Sequence, residues 1–120
     1  MKRIVSLVAA LAVAAVTVFA VVAYAGPSTA TGTTVKVAAK DTFRFTLSRK
    51  SAPHGKVTFN VTNKGRLKHD FKIAGKRTKM LKHNQTATLT VTLKKGKKYT
   101  YLCTVPGHAA AGMKGTFKAT

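Results

Sequence analysis

Carboxylates are almost missing from this chain. Asp41 and Asp70 are its only acids, there is no Glu, and there is no Trp. Chemistry that relies on a buried carboxylate pair, as in glycosidases and aspartic proteases, is therefore disfavoured. Cysteine is equally scarce: Cys103 stands alone, so no disulfide framework can form. None is needed, because 120 residues suffice for one domain with a real core. At 45% hydrophobic residues, wholesale disorder is also excluded.

What is abundant is positive charge. Lys and Arg number 22, giving a net charge of +20. Such a surface favours acidic partners and anionic surfaces, and also keeps a protein soluble. No nucleic-acid-binding motif accompanies the charge, and nucleic acid is not expected as a partner.

The N-terminus reads as an export segment. Lys2 and Arg3 precede an uncharged Ala- and Val-rich stretch, Ile4 to Ala25, which ends in the small-x-small pattern Ala23-Tyr24-Ala25. Residues 1–25 are read as a signal peptide; the alternative is an uncleaved membrane anchor, since the run is long enough to span a bilayer. Either way the rest of the chain is exported, periplasmic or extracytoplasmic, and released or tethered to the cytoplasmic membrane. Loss of Lys2 and Arg3 leaves 20 basic residues against two acids, a charge of +18. Residues 26–34 (GPSTATGTT) form a small-residue, flexible linker. The folded domain is expected over residues 35–120.

That domain reads as all-β. Apolar residues alternate with polar ones at Val35 and Val37; Phe43, Phe45 and Leu47; Val57, Phe59 and Val61; Ala87, Leu89, Val91 and Leu93; and Tyr99, Tyr101 and Cys103, with Phe117 near the end. Period-two alternation rich in β-branched and aromatic residues marks half-buried strands. Turn signals at Ser51 to Gly55, Asn63 to Gly65, Ala74-Gly75 and Lys94 to Gly96 separate them. Short strands at this spacing point to an antiparallel sandwich, without fixing the strand order.

Between two of these strands lies Tyr101-Leu-Cys-Thr-Val-Pro-Gly-His-Ala-Ala-Ala-Gly-Met-Lys-Gly115. Cys103, His108 and Met113 are spaced Cys-x4-His-x4-Met, with Pro106-Gly107 and Gly112 supplying turns. A thiolate, an imidazole and a thioether from one loop select copper or zinc over hard ions, and two His with one Cys and a weak axial Met are the blue-copper set. The second His is expected to be His69. In His69-Asp70-Phe71-Lys72-Ile73, alternation puts its ring on the apolar face with Phe71 and Ile73, where a polar group needs a partner. A lone cysteine is ordinarily a small core residue, but the loop around Cys103 argues for metal. His54 and His83, in Lys-rich turns, read as solvated. Met80 reads as core or near-core packing, and Tyr99 and Tyr101 as strand residues of the core.

These residues resemble the cupredoxins. The ligand loop is most similar to the rusticyanin and auracyanin types, and the resemblance extends to Gly55-Lys-Val-Thr-Phe59, Asn63-Lys64-Gly65 and the His-Asp-Phe element. It implies a Greek-key β-sandwich with one type 1 copper ion at one end, held by His69, Cys103 and His108 with Met113 as weak axial ligand, and one-electron transfer between redox partners. His108 lies among Val105, Pro106, Ala109, Ala110 and Ala111, small and apolar residues that would let a partner come close to its ring; this patch is the expected electron exit. The family often has Asn after the first His, where this chain has Asp70. A hydrogen bond from Asp70 to the backbone around Thr104 is expected, and its charge would favour the more oxidised ion. The family's Pro-Gly turn is also missing from Met80 to Gln85.

The reading is therefore an electron carrier and not an enzyme. Copper oxidases and reductases need further His-rich sites, and four His with two already used leave too few. Its partners are redox proteins with acidic docking surfaces, with an anionic membrane or wall surface as a further contact, and the chain is expected to be a monomer. The rival reading is a copper-handling module that stores or delivers the ion without redox cycling.

Overall fold

A computed structural model describes residues 32–120. The expected export segment, and the expected linker up to residue 31, lie outside the described residues. Nine strands form, and no helix occurs among the described residues: β1 (Thr33–Lys40), β2 (Arg44–Leu47), β3 (Ser51–Ala52), β4 (Gly55–Asn63), β5 (Lys72–Ile73), β6 (Lys76–Arg77), β7 (Thr86–Leu93), β8 (Lys98–Leu102) and β9 (Lys114–Ala119). β1 opens at Thr33, two residues before the expected onset at Val35, because Thr33 and Thr34 pair with Val57 and Thr58.

The strands make two sheets packed as a Greek-key sandwich. One runs β2-β1-β4-β7, the other β3-β9-β8-β5-β6. β1 pairs with β4, and β3 with β9, in parallel; the remaining pairs are antiparallel. Alternation decides which side chains face inward. In β7, Leu89, Val91 and Leu93 are buried while Thr86, Thr88, Thr90 and Thr92 face out. On that outer face hydroxyls bond across strands, Thr58 with Thr90 at 3.2 Å and Thr62 with Thr86 at 2.9 Å.

The core centres on aromatic rings. Phe71 lies 5.2 Å from both Phe45 and Phe59, and 5.5 Å from Tyr101, ring centre to ring centre. Phe59 also meets Phe117 edge-on at 5.2 Å. Edge-to-face contacts of this kind add to area burial.

Local structure departs from the sequence pattern at three places. Phe43 alternates like a strand residue but sits in the turn before β2 with φ of 57°. Ser51 and Ala52, read as a turn, form β3 by pairing with the end of β9. Met80, read as core, is 43% exposed: it precedes Leu81, and Leu81 is the residue that turns inward. Where a Pro-Gly turn was missing, Asn84 takes φ of 60°, a left-handed conformation Asn tolerates better than most residues. Gln85 completes that turn by accepting from the Lys82 N–H at 2.9 Å.

Candidate metal centre

The ends of β1, β4 and β8 and the start of β9 meet at one pole of the sandwich. Asn63, fully buried, closes β4 and organises the loop that follows. Its amide donates to the carbonyls of Leu67 at 2.7 Å and Leu81 at 2.8 Å, and its Oδ1 accepts from the Gly65 N–H at 2.9 Å. The chain then enters His69, which exchanges two backbone hydrogen bonds with Leu81. That bridge leaves the His69 ring fully buried.

The loop between β8 and β9 folds back on itself. Cys103 donates its N–H to the carbonyl of Met113 at 3.1 Å, and Met113 donates to His108 at 3.0 Å. Its outer arc is tightened by Ala111 donating to Gly107 and Gly112 to Ala109. Cys103 and Met113 pack with Ala39 in a small buried cluster, covered by Phe43, Phe45 and Val105.

Three donor atoms thereby converge. His69 Nδ1 and His108 Nδ1 are 3.1 Å apart, and Cys103 Sγ lies 3.5 Å from the His108 nitrogen and 3.9 Å from that of His69. Three donors placed trigonally about 2 Å from one ion stand roughly 3.5 Å from each other. The triangle fits one metal ion, and its two-imidazole, one-thiolate chemistry fits copper. Met113 lies buried against Cys103, on the same loop.

Both carboxylates of the chain attend this site. Asp70 accepts the Thr104 N–H at 2.6 Å and the Thr104 hydroxyl on its other oxygen. Asp41, in the turn after β1, accepts from the N–H groups of Arg66 (2.7 Å) and Leu67 (3.1 Å) and from His69 Nε2 (2.9 Å). These bonds, the Arg66 N–H foremost and His69 next, hold its carboxyl below the usual range. A Cβ at Gly65 would collide with this carboxylate, so a side chain there is excluded by close approach. Asp41 had no place in the sequence reading. The signal that could have found it is scarcity: in a chain with two acids, each is worth placing.

Burial pushes the Cys103 thiol up. Burial, then the neighbouring His69, pushes His108 down. His108 is half-buried, and its ring meets Phe43 edge-on at 5.1 Å. Around it, Val105 and Ala109 are half-buried while Pro106, Ala110 and Ala111 are exposed. His54 and His83 stand away from the cluster, each bonded through Nδ1 to a backbone carbonyl, of Thr120 and Gly65 respectively.

Residues 29–120 match the family described as copper binding proteins, plastocyanin/azurin family. The chain belongs to this family of blue copper proteins, the cupredoxins; its cofactor is copper and its general activity is electron transfer. Solved structures share the fold. The dithionite-reduced auracyanin of Roseiflexus castenholzii is 22% identical, over 74% of this chain and 98% of that one, with a TM-score of 0.66. Auracyanin A, a "blue" copper protein of Chloroflexus aurantiacus, is 18% identical over 75% and 100%, with a TM-score of 0.63. The azurin Az-iso2 of Methylomonas sp. strain J is 19% identical over 75% and 99%, with a TM-score of 0.60. A search of curated protein sequences finds no significant match.

Proposed function

We propose that this chain is an exported, monomeric carrier of single electrons, with His69, Cys103 and His108 as strong copper ligands and Met113 as the weak axial one. The observation that carries this reading is the triangle of His69 Nδ1, Cys103 Sγ and His108 Nδ1 at 3.1–3.9 Å, closed on one side by the core and on the other by a single imidazole at the surface. Bound copper supplies a one-electron redox couple.

The protein's part is to hold its donors still. His69 is fixed by its bridge to Leu81, Cys103 by the Met113 carbonyl, and His108 by the loop turns, so little has to move when the charge changes. Asp70 ties the segment after His69 to the segment after Cys103. Ala39, Phe43 and Val105 keep water from the thiolate. His108, ringed by Val105, Pro106, Ala109, Ala110 and Ala111, is the electron exit, where a redox partner's surface can close to van der Waals distance.

The partner is an acidic redox protein, given a surface of +18 once residues 1–25 are removed as a signal; an anionic membrane or wall surface is a further contact. Export sets the compartment as periplasmic or extracytoplasmic, with residues 26–32 as the linker to β1, which opens at Thr33. The carrier reading is preferred to an enzymatic one because the two remaining histidines of the described residues, His54 and His83, lie outside the cluster of His69, Cys103 and His108, and no second group of metal-ligating side chains occurs among the described residues.

The test is a visible spectrum of the purified protein with one equivalent of Cu(II), before and after ascorbate. An intense blue or green band that bleaches on reduction and returns on oxidation is the expected result. Absence of a charge-transfer band, or copper lost on dialysis, would move the assignment to copper handling without redox cycling.

A further inference from the structure

A buried imidazole that binds metal through one nitrogen must do something with the other. For His69 the other is Nε2, and it points at Asp41 Oδ1, 2.9 Å away. An ionised carboxylate can only accept, so the proton of this hydrogen bond sits on Nε2. Nδ1 is then left with a free lone pair, aimed at Cys103 and His108. The carboxylate is itself held in place: Arg66 N–H binds Oδ2, Leu67 N–H shares Oδ1, and the missing side chain of Gly65 makes the room it occupies. The Asp41 side chain is 38% exposed, so the effect of its bare charge is screened by water; the hydrogen bond is the stronger link to the site.

We propose that Asp41 is a positioning residue of the copper centre. Through Nε2 it fixes the tautomer and plane of His69, raises the basicity of Nδ1, and thereby favours the oxidised ion. This rests on the reading of His69 as a ligand. It gives the turn after β1 a role in setting the reduction potential, although no residue of that turn is itself a ligand. A carboxylate that accepts from the far nitrogen of a metal-bound imidazole is a general way to orient and strengthen such a ligand.

The consequence is directional. Asp41→Asn removes the charge, and an amide cannot satisfy both sides of the turn. With its oxygen toward His69 and Leu67, its NH2 faces the Arg66 N–H, donor against donor. The ring loses basicity and the oxidised state loses support, so the potential rises.

The experiment measures copper-loaded wild type and Asp41→Asn by visible spectroscopy and redox titration, with ¹⁵N NMR of His69 in the copper-free wild type. Expected are a retained charge-transfer band, a potential higher by about 59 mV, which is a tenfold change in the oxidised-to-reduced ratio, and a His69 ring protonated on Nε2 before copper is added. An unchanged potential with the band intact, or a His69 ring protonated on Nδ1, would overturn the proposal while leaving the ligand assignment standing. A wild type with no charge-transfer band would instead remove the ligand reading itself. If Asp41→Asn fails to fold, the NMR result on the wild type still decides.

Discussion

The carboxylate of Asp70 accepts the backbone N–H of Thr104 at 2.6 Å, and this bond joins the residue after His69 to the residue after Cys103. Two ligand-bearing segments, 34 residues apart, are sutured by this one side chain, whose charge also acts on the Cys103 thiol. Asp70→Asn can keep the geometry: its oxygen still accepts from Thr104 N–H, and the Thr104 hydroxyl can turn to accept from the new NH2. Asp70→Ala cannot. The asparagine variant is expected to keep the charge-transfer band and raise the potential, because only the negative charge has gone. The alanine variant is expected to lose about 1.5–3 kcal/mol of stability, the range for a hydrogen bond to a charged group. Redox titration and denaturant unfolding separate the two effects; an Asn variant with unchanged potential would limit Asp70 to a structural role.

Copper uptake should release a proton. Burial pushes the Cys103 thiol up, so the copper-free site holds a neutral thiol at neutral pH. His108 is pushed down, chiefly by burial, so it is already neutral there and adds no proton. The ligand that binds is the thiolate, hence affinity must rise with pH until the thiol's own pKa is passed. A fall of about tenfold per pH unit below that point corresponds to one displaced proton. Competition with a chelator at pH 6, 7 and 8 checks the slope, and a flat response would mean that the thiol is already ionised.

Electron transfer should slow as salt is added. Among the described residues both acids are engaged at the site, one on the His69 ring and the Arg66 backbone N–H, the other on Thr104, and no Lys or Arg side chain pairs with a carboxylate. The surface cations are therefore without carboxylate partners among the described residues, and their charge acts on whatever approaches. The screening length falls from about 30 Å at 0.01 M to about 8 Å at 0.15 M ionic strength. Stopped-flow rates with an acidic redox partner should drop steeply over that range, whereas rates with a small neutral reductant should hardly move. Equal responses would remove electrostatic steering.

Local pattern and tertiary contact divided the information in this chain. Leu89, Val91 and Leu93 alternate with threonines, and their inward placement was legible because one sheet face meets a core and the other meets water. The Cys103–His108–Met113 spacing was legible for a different reason: a short loop confines its donors. Phe43 and Met80 were misread because alternation and hydrophobicity say nothing of φ or of where a chain turns; Phe43 takes φ of 57° to place its ring on His108. Asp41 was missed because it reaches His69 across 28 residues, through a contact that exists only after β1 and β4 pair.

Arg44 and Gly112 form the last testable pair. Arg44 Nη1 donates to the carbonyl of Ala111 at 3.3 Å and to that of Phe43 at 3.1 Å, so its guanidinium bridges the turn before β2 and the ligand loop. Gly112 has φ of 113°, and a Cβ there would collide with the same guanidinium. Gly112→Ala thus meets two penalties, a backbone conformation that costs about 1–3 kcal/mol for a side-chain-bearing residue and a steric clash. Arg44→Ala removes the clash but not the conformational cost. In the copper-loaded protein, Gly112→Ala is expected to lower stability and shift the charge-transfer band, because Met113 follows directly and moves with the loop. Adding Arg44→Ala should restore part of the stability and leave the rest lost. A double-mutant cycle on denaturation midpoints reads the coupling: full additivity would show that the guanidinium does not sit over Gly112, and complete rescue would show that the backbone at residue 112 carries no strain.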